Sequence, residues 1–312
     1  MKWIVGVSIF FATALGWVAT TTIPAATITP DEATLKYFPA ETESIAFVDV
    51  AALRDVPLVH DFMYPGSVTS VSPELGGFVD STGFDVRRDL DSVMIGRASG
   101  YDHLVVANAR YDKFKAEQFL KDKGKDPETY LGRAIYHDNN AAIVCLDGVI
   151  LLGTDTTVKK AIDQITYPGA LQLRSGLLDS IRTIEAGNQV WAVGNFSLQD
   201  LPVGAVRETP VLQILKTLRH GTYQMRIDRD VHARATGDFA DAESARNLSD
   251  MARGFVAMAK LQIAKQQPDF LQLLDGIDVR SNGASVTVRI DESGDLLMKL
   301  QKARLRPPQL GQ

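Results

Sequence analysis

The 312 residues are 45% hydrophobic and 23% charged, an ordinary globular composition in a chain long enough for one or two domains with sizeable cores. The formal net charge of -5 argues against a protein that grips nucleic acid or an anionic membrane through its overall field, since such binding draws on many Lys and Arg contacts. The single cysteine, Cys145, excludes an intramolecular disulfide.

After Lys2 no charged residue occurs until Asp31, and Trp3 to Ala19 is largely apolar. A cationic start followed by an apolar stretch has the form of a secretory signal. The alternative is an uncleaved membrane anchor, because about 17 apolar residues meet the lower limit of the roughly 17–25 that span a bilayer. A buried N-terminal helix is a third reading. As cleavage sites, Trp17 before Ala19 and Pro24 before Ala26 fit poorly, whereas Ile23 before Ala25 is tolerable. The expectation is a signal peptide or membrane anchor over 1–26 and a Thr-, Ala- and Pro-rich tether over 27–36. The chain is expected to be exported, into the periplasm or anchored at the membrane facing it. No cysteine lies next to the apolar stretch, so the usual lipid-modified anchor is not expected.

The body shows a weak internal repeat. The run from Ile45 to Leu58 aligns without gaps on Val190 to Val203, where Val48, Leu53, Asp55 and Pro57 recur as Val193, Leu198, Asp200 and Pro202. In the first copy, predicted strands Ser92–Ala98 and His103–Arg110 flank the turn Gly100-Tyr101-Asp102. They lead to a helix capped by Asp112 with Ala116, Phe119 and Leu120 on one face. A hairpin Ala141–Leu146 and Val149–Gly153 turns at Asp147-Gly148, a type I′ signal, and a helix from Thr154 to Ile165 closes the copy.

The second copy repeats the plan. Strands Thr222–Asp228 and Val231–Asp238 meet at Arg229-Asp230, and a long helix starts near Asp241 with an apolar stripe of Ala245, Leu248, Ala252, Phe255 and Ala259. A hairpin Ile277–Arg280 and Ala284–Ile290 turns at Asn282-Gly283, and a helix from Leu296 to Lys302 follows. The fold class expected is α+β: two related halves, each a mostly antiparallel sheet with helices packed on it. The halves run over 37–175 and 176–303, with a tail at 304–312.

Alternation in the second half predicts one buried and one polar sheet face. Leu104-Val105-Val106, Ile143-Val144-Cys145-Leu146 and Val149-Ile150-Leu151-Leu152 in the first half have no polar phase, so that sheet needs cover on both sides. Helices, the other half, a partner or an apolar ligand would each supply it.

Catalytic signatures are missing. Gly96-Arg97-Ala98-Ser99-Gly100 misplaces the serine of a nucleophile elbow, and Lys123-Gly124-Lys125 lacks the upstream glycine of a phosphate cradle and reads as a helix C-terminus. His60, His103, His137, His220 and His232 never fall at metal-ligand spacing, and His137-Asp138 before Asn139-Asn140 reads as a turn. Asp85, Asp89 and Asp91 are interleaved with Arg87 and Arg88 and read as a solvated connection. No catalytic residue, metal or cofactor is expected, and Cys145 reads as a small buried hydrophobe. One constellation stands out: Arg226, His232, Arg234, Arg280 and Arg289 all lie on the polar phase of second-half strands. A locally basic face of that kind could bind an acidic partner or a headgroup, and an exposed face whose charges keep it soluble is the plainer reading. Lys299, Lys302, Arg304 and Arg306 before Pro307-Pro308 read as a frayed, solvated end.

The run Tyr37-Phe38-Pro39-Ala40-Glu41-Thr42 followed by Ser44-Ile45-Ala46-Phe47-Val48-Asp49-Val50 resembles the opening of exported bacterial envelope proteins of unknown function. Leu104 to Asp112 before a charged helix is similar to the same kind of protein. The resemblance implies an envelope location and carries no catalytic residues. The reading that follows is a non-enzymatic exported protein that binds an envelope protein or surface partner through its sheet faces, without nucleic acid, and with membrane association through the N-terminal segment. A periplasmic carrier of an apolar or lipid-like ligand is the second reading, and an enzyme of unrecognised type the third.

Overall fold

The computed structural model describes residues 32–59, 73–98, 102–138, 141–167, 169, 173–195, 214–263 and 268–305, with backbone alone at 32, 73–76, 263 and 301–305. The signal or anchor, His60, Gly100-Tyr101, Asn139-Asn140, Leu198, Asp200, Pro202 and Arg306 lie outside these residues.

The described residues open with α1 (Glu32–Leu35), which falls within the expected tether yet sends Leu35 into the core, and the first half follows with β1 (Ser44–Asp49) and α2 (Val50–Leu53). After α3 (Pro73–Thr82) and α4 (Val86–Asp89) come β2 (Leu90–Arg97) and β3 (His103–Ala109). Asp112 then caps α5 (Lys113–Asp122), its carboxylate accepting the Lys115 N–H at 3.1 Å, because the first amides of a helix have no partner within it. Next are β4 (Pro127–Tyr130), β5 (Arg133–Asp138), β6 (Ala141–Leu146), β7 (Val149–Gly153), α6 (Asp155–Thr166) and α7 (Ser175–Arg182). The second half comprises β8 (Val190–Gly194), β9 (Leu218–Ile227), β10 (Asp230–Phe239), α8 (Ala242–Ile263), α9 (Pro268–Asp275), β11 (Ile277–Asn282), β12 (Ser285–Ser293) and α10 (Gly294–Leu305). Asp241 caps α8 by accepting the Ser244 N–H at 2.7 Å.

The described strands form one antiparallel sheet in the order β11-β12-β10-β9-β8-β1-β2-β3-β7-β6-β5-β4. Read outward from the β1–β8 pair, the two halves share a strand order: β1-β2-β3-β7-β6 on one side and β8-β9-β10-β12-β11 on the other. The first half adds the β4–β5 hairpin at its edge, which the sequence pattern missed. The gapless alignment of the repeat does not keep side chains on equivalent faces. Ile45 opposes Val193 on one face, while Val190, aligned with Ile45, opposes Val48 on the other. The likeness of the halves therefore lies in connectivity. Closing helices differ too: α6 packs on one face of the sheet and α10 on the other.

The first face carries Ile45, Met94, Val106, Val144, Leu151, Trp191 and Val193, covered by Leu35 of α1, Val158 and Ile162 of α6, and Leu177 and Ile181 of α7. On the second face of the first half, Ile143, Cys145 and Leu152 pack under Phe78 of α3 and Ala116, Phe119 and Leu120 of α5. Helices on both faces thus account for the first-half strands that lack a polar phase. In the second half, the second face packs Met225, Ile227, Val231 and Ala233 against Leu53 of α2 and Leu297 and Met298 of α10. Beyond them, Val279 and Val286 meet Ala245, Leu248 and Ala252 of α8.

Two turns differ from expectation. Only Gly148 takes positive φ (73°) at Asp147-Gly148, so this is not a type I′ turn, which needs positive φ at both central residues. At the other hairpin Asn282 pairs with Ser285, so the loop is Gly283-Ala284, one residue later than predicted, with Gly283 at φ 56°. A glycine in first position suits that loop because the positive φ falls there.

Candidate functional site

Cross-strand register brings the five predicted residues to one face. His232 opposes Arg226, Arg234 opposes Arg289, and Arg280 lies two residues beyond Asp278, the β11 partner of Arg289. Residues directly opposite share a face, as do residues two apart. This is the first face of the sheet in its second half; α7 covers it over β8, with Ser180 reaching His220 of β9, and the hydrophobic clusters of the described residues place no helix on it over β10, β12 and β11.

The face is mixed in charge rather than basic. Arg226 Nε lies 3.2 Å from Asp228, Arg280 Nε 2.7 Å from Asp278, and His232 Nδ1 2.9 Å from Asp291. Arg234 Nη1 donates to Glu185 at 2.5 Å. Glu185 itself is held by Gln224, a buried side chain whose amide oxygen accepts the Glu185 N–H at 2.8 Å and Asn188 Nδ2 at 3.1 Å. The Asp228 carboxyl is held below the usual carboxylate range, first by a backbone hydrogen bond from Asp230 and then by the charges of Arg226 and His232. Asp278 and Asp291 occupy the same strand phase as the cations, and Glu185 arrives from the loop after α7, which no strand pattern reveals.

Arg289 is the exception. It forms no ion pair with any described residue, whereas its Nε is buried without a hydrogen-bond partner just as those of Arg226 and Arg234 are. Arg234 stands directly opposite it, a like-charge neighbour that costs free energy unless each cation is offset.

Elsewhere, Glu128 on β4, His137 on β5 and Asp155 at the start of α6 bring donor atoms within 4.8 Å of one another. Their register was not visible because β4 was not predicted, and His137 lies in β5 rather than in a turn. Lys159 Nζ sits 3.0 Å from carboxylate oxygens of both Glu128 and Asp155. The lysine and then the histidine hold the Glu128 carboxyl below its ordinary range, so the cluster already holds a cation of its own. Asp85, Asp89 and Asp91 are likewise paired: Arg87 contacts Asp85 at 2.9 Å, Arg88 contacts Asp89 at 2.7 Å, and Arg54 and Arg110 reach Asp91.

A feature missed at the sequence level lies on the second face. Phe255, placed on the buried stripe of α8 by its spacing, is 68% exposed, and Met258, Leu261 and Phe270 are 53%, 82% and 38% exposed. The signal was the near absence of charge from Gly254 to Ile263, where only Lys260 is charged.

No family model matches the chain, and no curated protein sequence matches it. Among solved structures, crystal form III of TP0453 is similar in fold, with a TM-score of 0.52 over 90% of this chain and 99% of that chain at 9% identity. Crystal form I gives 0.47 over the same shares, and form IV gives 0.46 over 86% and 95%, at 9% and 10% identity. The likeness to form III is consistent with the α+β architecture and speaks to fold alone.

Proposed function

We propose that the chain is a non-enzymatic exported protein of the cell envelope, in the periplasm or anchored facing it, that binds a protein partner through the second-half face of β9, β10, β12 and β11. The observation that carries this reading is Arg289: a guanidinium without an ion pair among the described residues, set directly opposite Arg234 in the β10–β12 pairing. Leaving such a group unsatisfied costs free energy that a partner carboxylate would recover. Alternating charge around it supplies register for a mixed-charge surface and disfavours wrong partners. Export is supported by the uncharged stretch between Lys2 and Asp31. The carrier reading loses its motive, because α3, α5, α6 and α7 cover the strands that suggested it.

The test is capture from an envelope fraction with the intact chain and with Arg289→Glu. One envelope protein should be retained by the wild type, lost with the variant, and released as ionic strength rises. Identical retention by both chains would overturn the reading. So would turnover of generic ester, phosphate or peptide substrates that a point substitution abolishes.

A further inference from the structure

The described residues include seven exposed large hydrophobic side chains, and four of them belong to one helix pair: Phe255, Met258 and Leu261 on α8, and Phe270 on α9. Phe114, Leu131 and Tyr167 are scattered over the first half, as single surface hydrophobes usually are. Steps of three residues fall short of a helical turn by about 60°. Phe255, Met258 and Leu261 therefore wind away from the Ala245–Leu248–Ala252 stripe toward the outside of α8. The adjoining α9 has Phe270, Leu271, Leu273 and Leu274 among its eight residues, and none of its residues is fully buried. Its carboxylates are occupied: Asp275 pairs with Lys260 and Asp269 with Lys299, each at 2.7 Å. The pair thus presents exposed apolar side chains, and both carboxylates of α9 are paired.

We infer that this helix pair lies against the surface of a phospholipid bilayer, with Phe255, Met258, Leu261 and Phe270 entering the headgroup–acyl boundary. Three observations select lipid over other occupants. Exposed Phe, Leu and Met on two helices whose neighbouring charges are paired with one another suit a fluid apolar phase that asks for no register. Beyond Lys299, which pairs with Asp269, the sequence from Leu300 to Arg306 has three basic residues and no acid, favourable toward anionic headgroups. The largely apolar stretch before Asp31, read as an anchor, would hold the body at a membrane, and read as an export signal would carry it across one. The inference is independent of which protein the opposite sheet face takes.

The test reads the patch locally, in the full chain, so that the N-terminal segment cannot substitute for it. Cys145 is buried, so a surface thiol introduced by Leu261→Cys takes an environment-sensitive dye selectively. With vesicles of phosphatidylcholine and phosphatidylglycerol, the dye at 261 should shift to the blue and be quenched by nitroxides on the lipid chains. A dye placed by Phe114→Cys should not respond. Adding Phe255→Ser and Phe270→Ser, both at exposed positions, should cut the quenching at 261 roughly tenfold. A silent dye at 261 on vesicle-bound protein would leave the N-terminal segment as the sole anchor and overturn the inference. An equal response at 114 would also overturn it, as would burial of the 261 dye without lipid in a chain that sediments as a dimer.

Discussion

Phe47 and Trp191 stack across the junction of the two halves, their ring centroids 5.4 Å apart and their planes at 28°. They oppose each other in the β1–β8 pairing, which among the described strands ties the first half to the second. Trp191 is 3% exposed and packs within the largest core. Trp191→Ala removes the stack and leaves a cavity at the seam, and should cost about 3–5 kcal/mol. Trp191→Phe should keep part of the stack and lose less. Urea denaturation monitored by circular dichroism reads both; a shift in Trp191→Ala no larger than that of Trp191→Phe would show that the stack does not hold the seam.

Among the described strands the sheet ends at β11, so its outer backbone groups meet no further described strand. Asp291 N–H bonds to Gly276 C=O, so alternation along the antiparallel ladder turns the Val279 carbonyl outward. Arg253 of α8 caps that carbonyl through Nε at 2.9 Å. Covering an edge in this way keeps strands from adding to it. Arg253→Ala should therefore scatter light at a lower temperature than the wild type on slow heating, while its far-ultraviolet dichroism at rest is unchanged. Coincident scattering onsets would remove the edge-guarding role.

What the sequence made legible follows from local physics. The Asp112 cap and the buried Ala116, Phe119 and Leu120 of α5 were readable because cap chemistry and three- and four-residue spacing are local. The phase of Arg226, His232, Arg234, Arg280 and Arg289 was readable because side chains alternate along strands. Their pairing was not, since Glu185 is brought to Arg234 by the loop after α7. Phe255 misled because periodicity finds a helix face without saying how far the sheet extends beneath it. The β4–β5 hairpin escaped because Pro127-Glu128-Thr129-Tyr130 is short and polar and pairs only at the sheet edge.

Cys145 offers a clean report on global opening. It lies at 5% exposure beneath α5, and burial first, then the charge of Glu117, pushes its thiol up to about 12. Both effects suppress the thiolate that reacts with disulfide reagents. The native chain should therefore leave its thiol unmodified at neutral pH over times in which the urea-unfolded chain reacts fully. Rapid native labelling would mean that the α5 layer opens locally.

Glu292 should make stability depend on pH near neutrality. It is 5% exposed on β12, with Oε1 buried and without a hydrogen-bond partner. Burial, and then the charges of Asp291 and Asp275, push its carboxyl up to about 7 from 4.5. The folded chain therefore holds a proton that the unfolded chain releases at lower pH. This contribution is fully present below about 4.5 and is lost as pH rises through 7, a difference of about 3 kcal/mol between the two limits. Carboxylates with lowered values, such as Asp228, act in the opposite sense and only in acid. Glu292→Gln cannot ionise, so its midpoint in urea should exceed that of the wild type at pH 8 and approach it at pH 4.5. Parallel pH profiles for the two chains would show that Glu292 ionises in the folded state without cost.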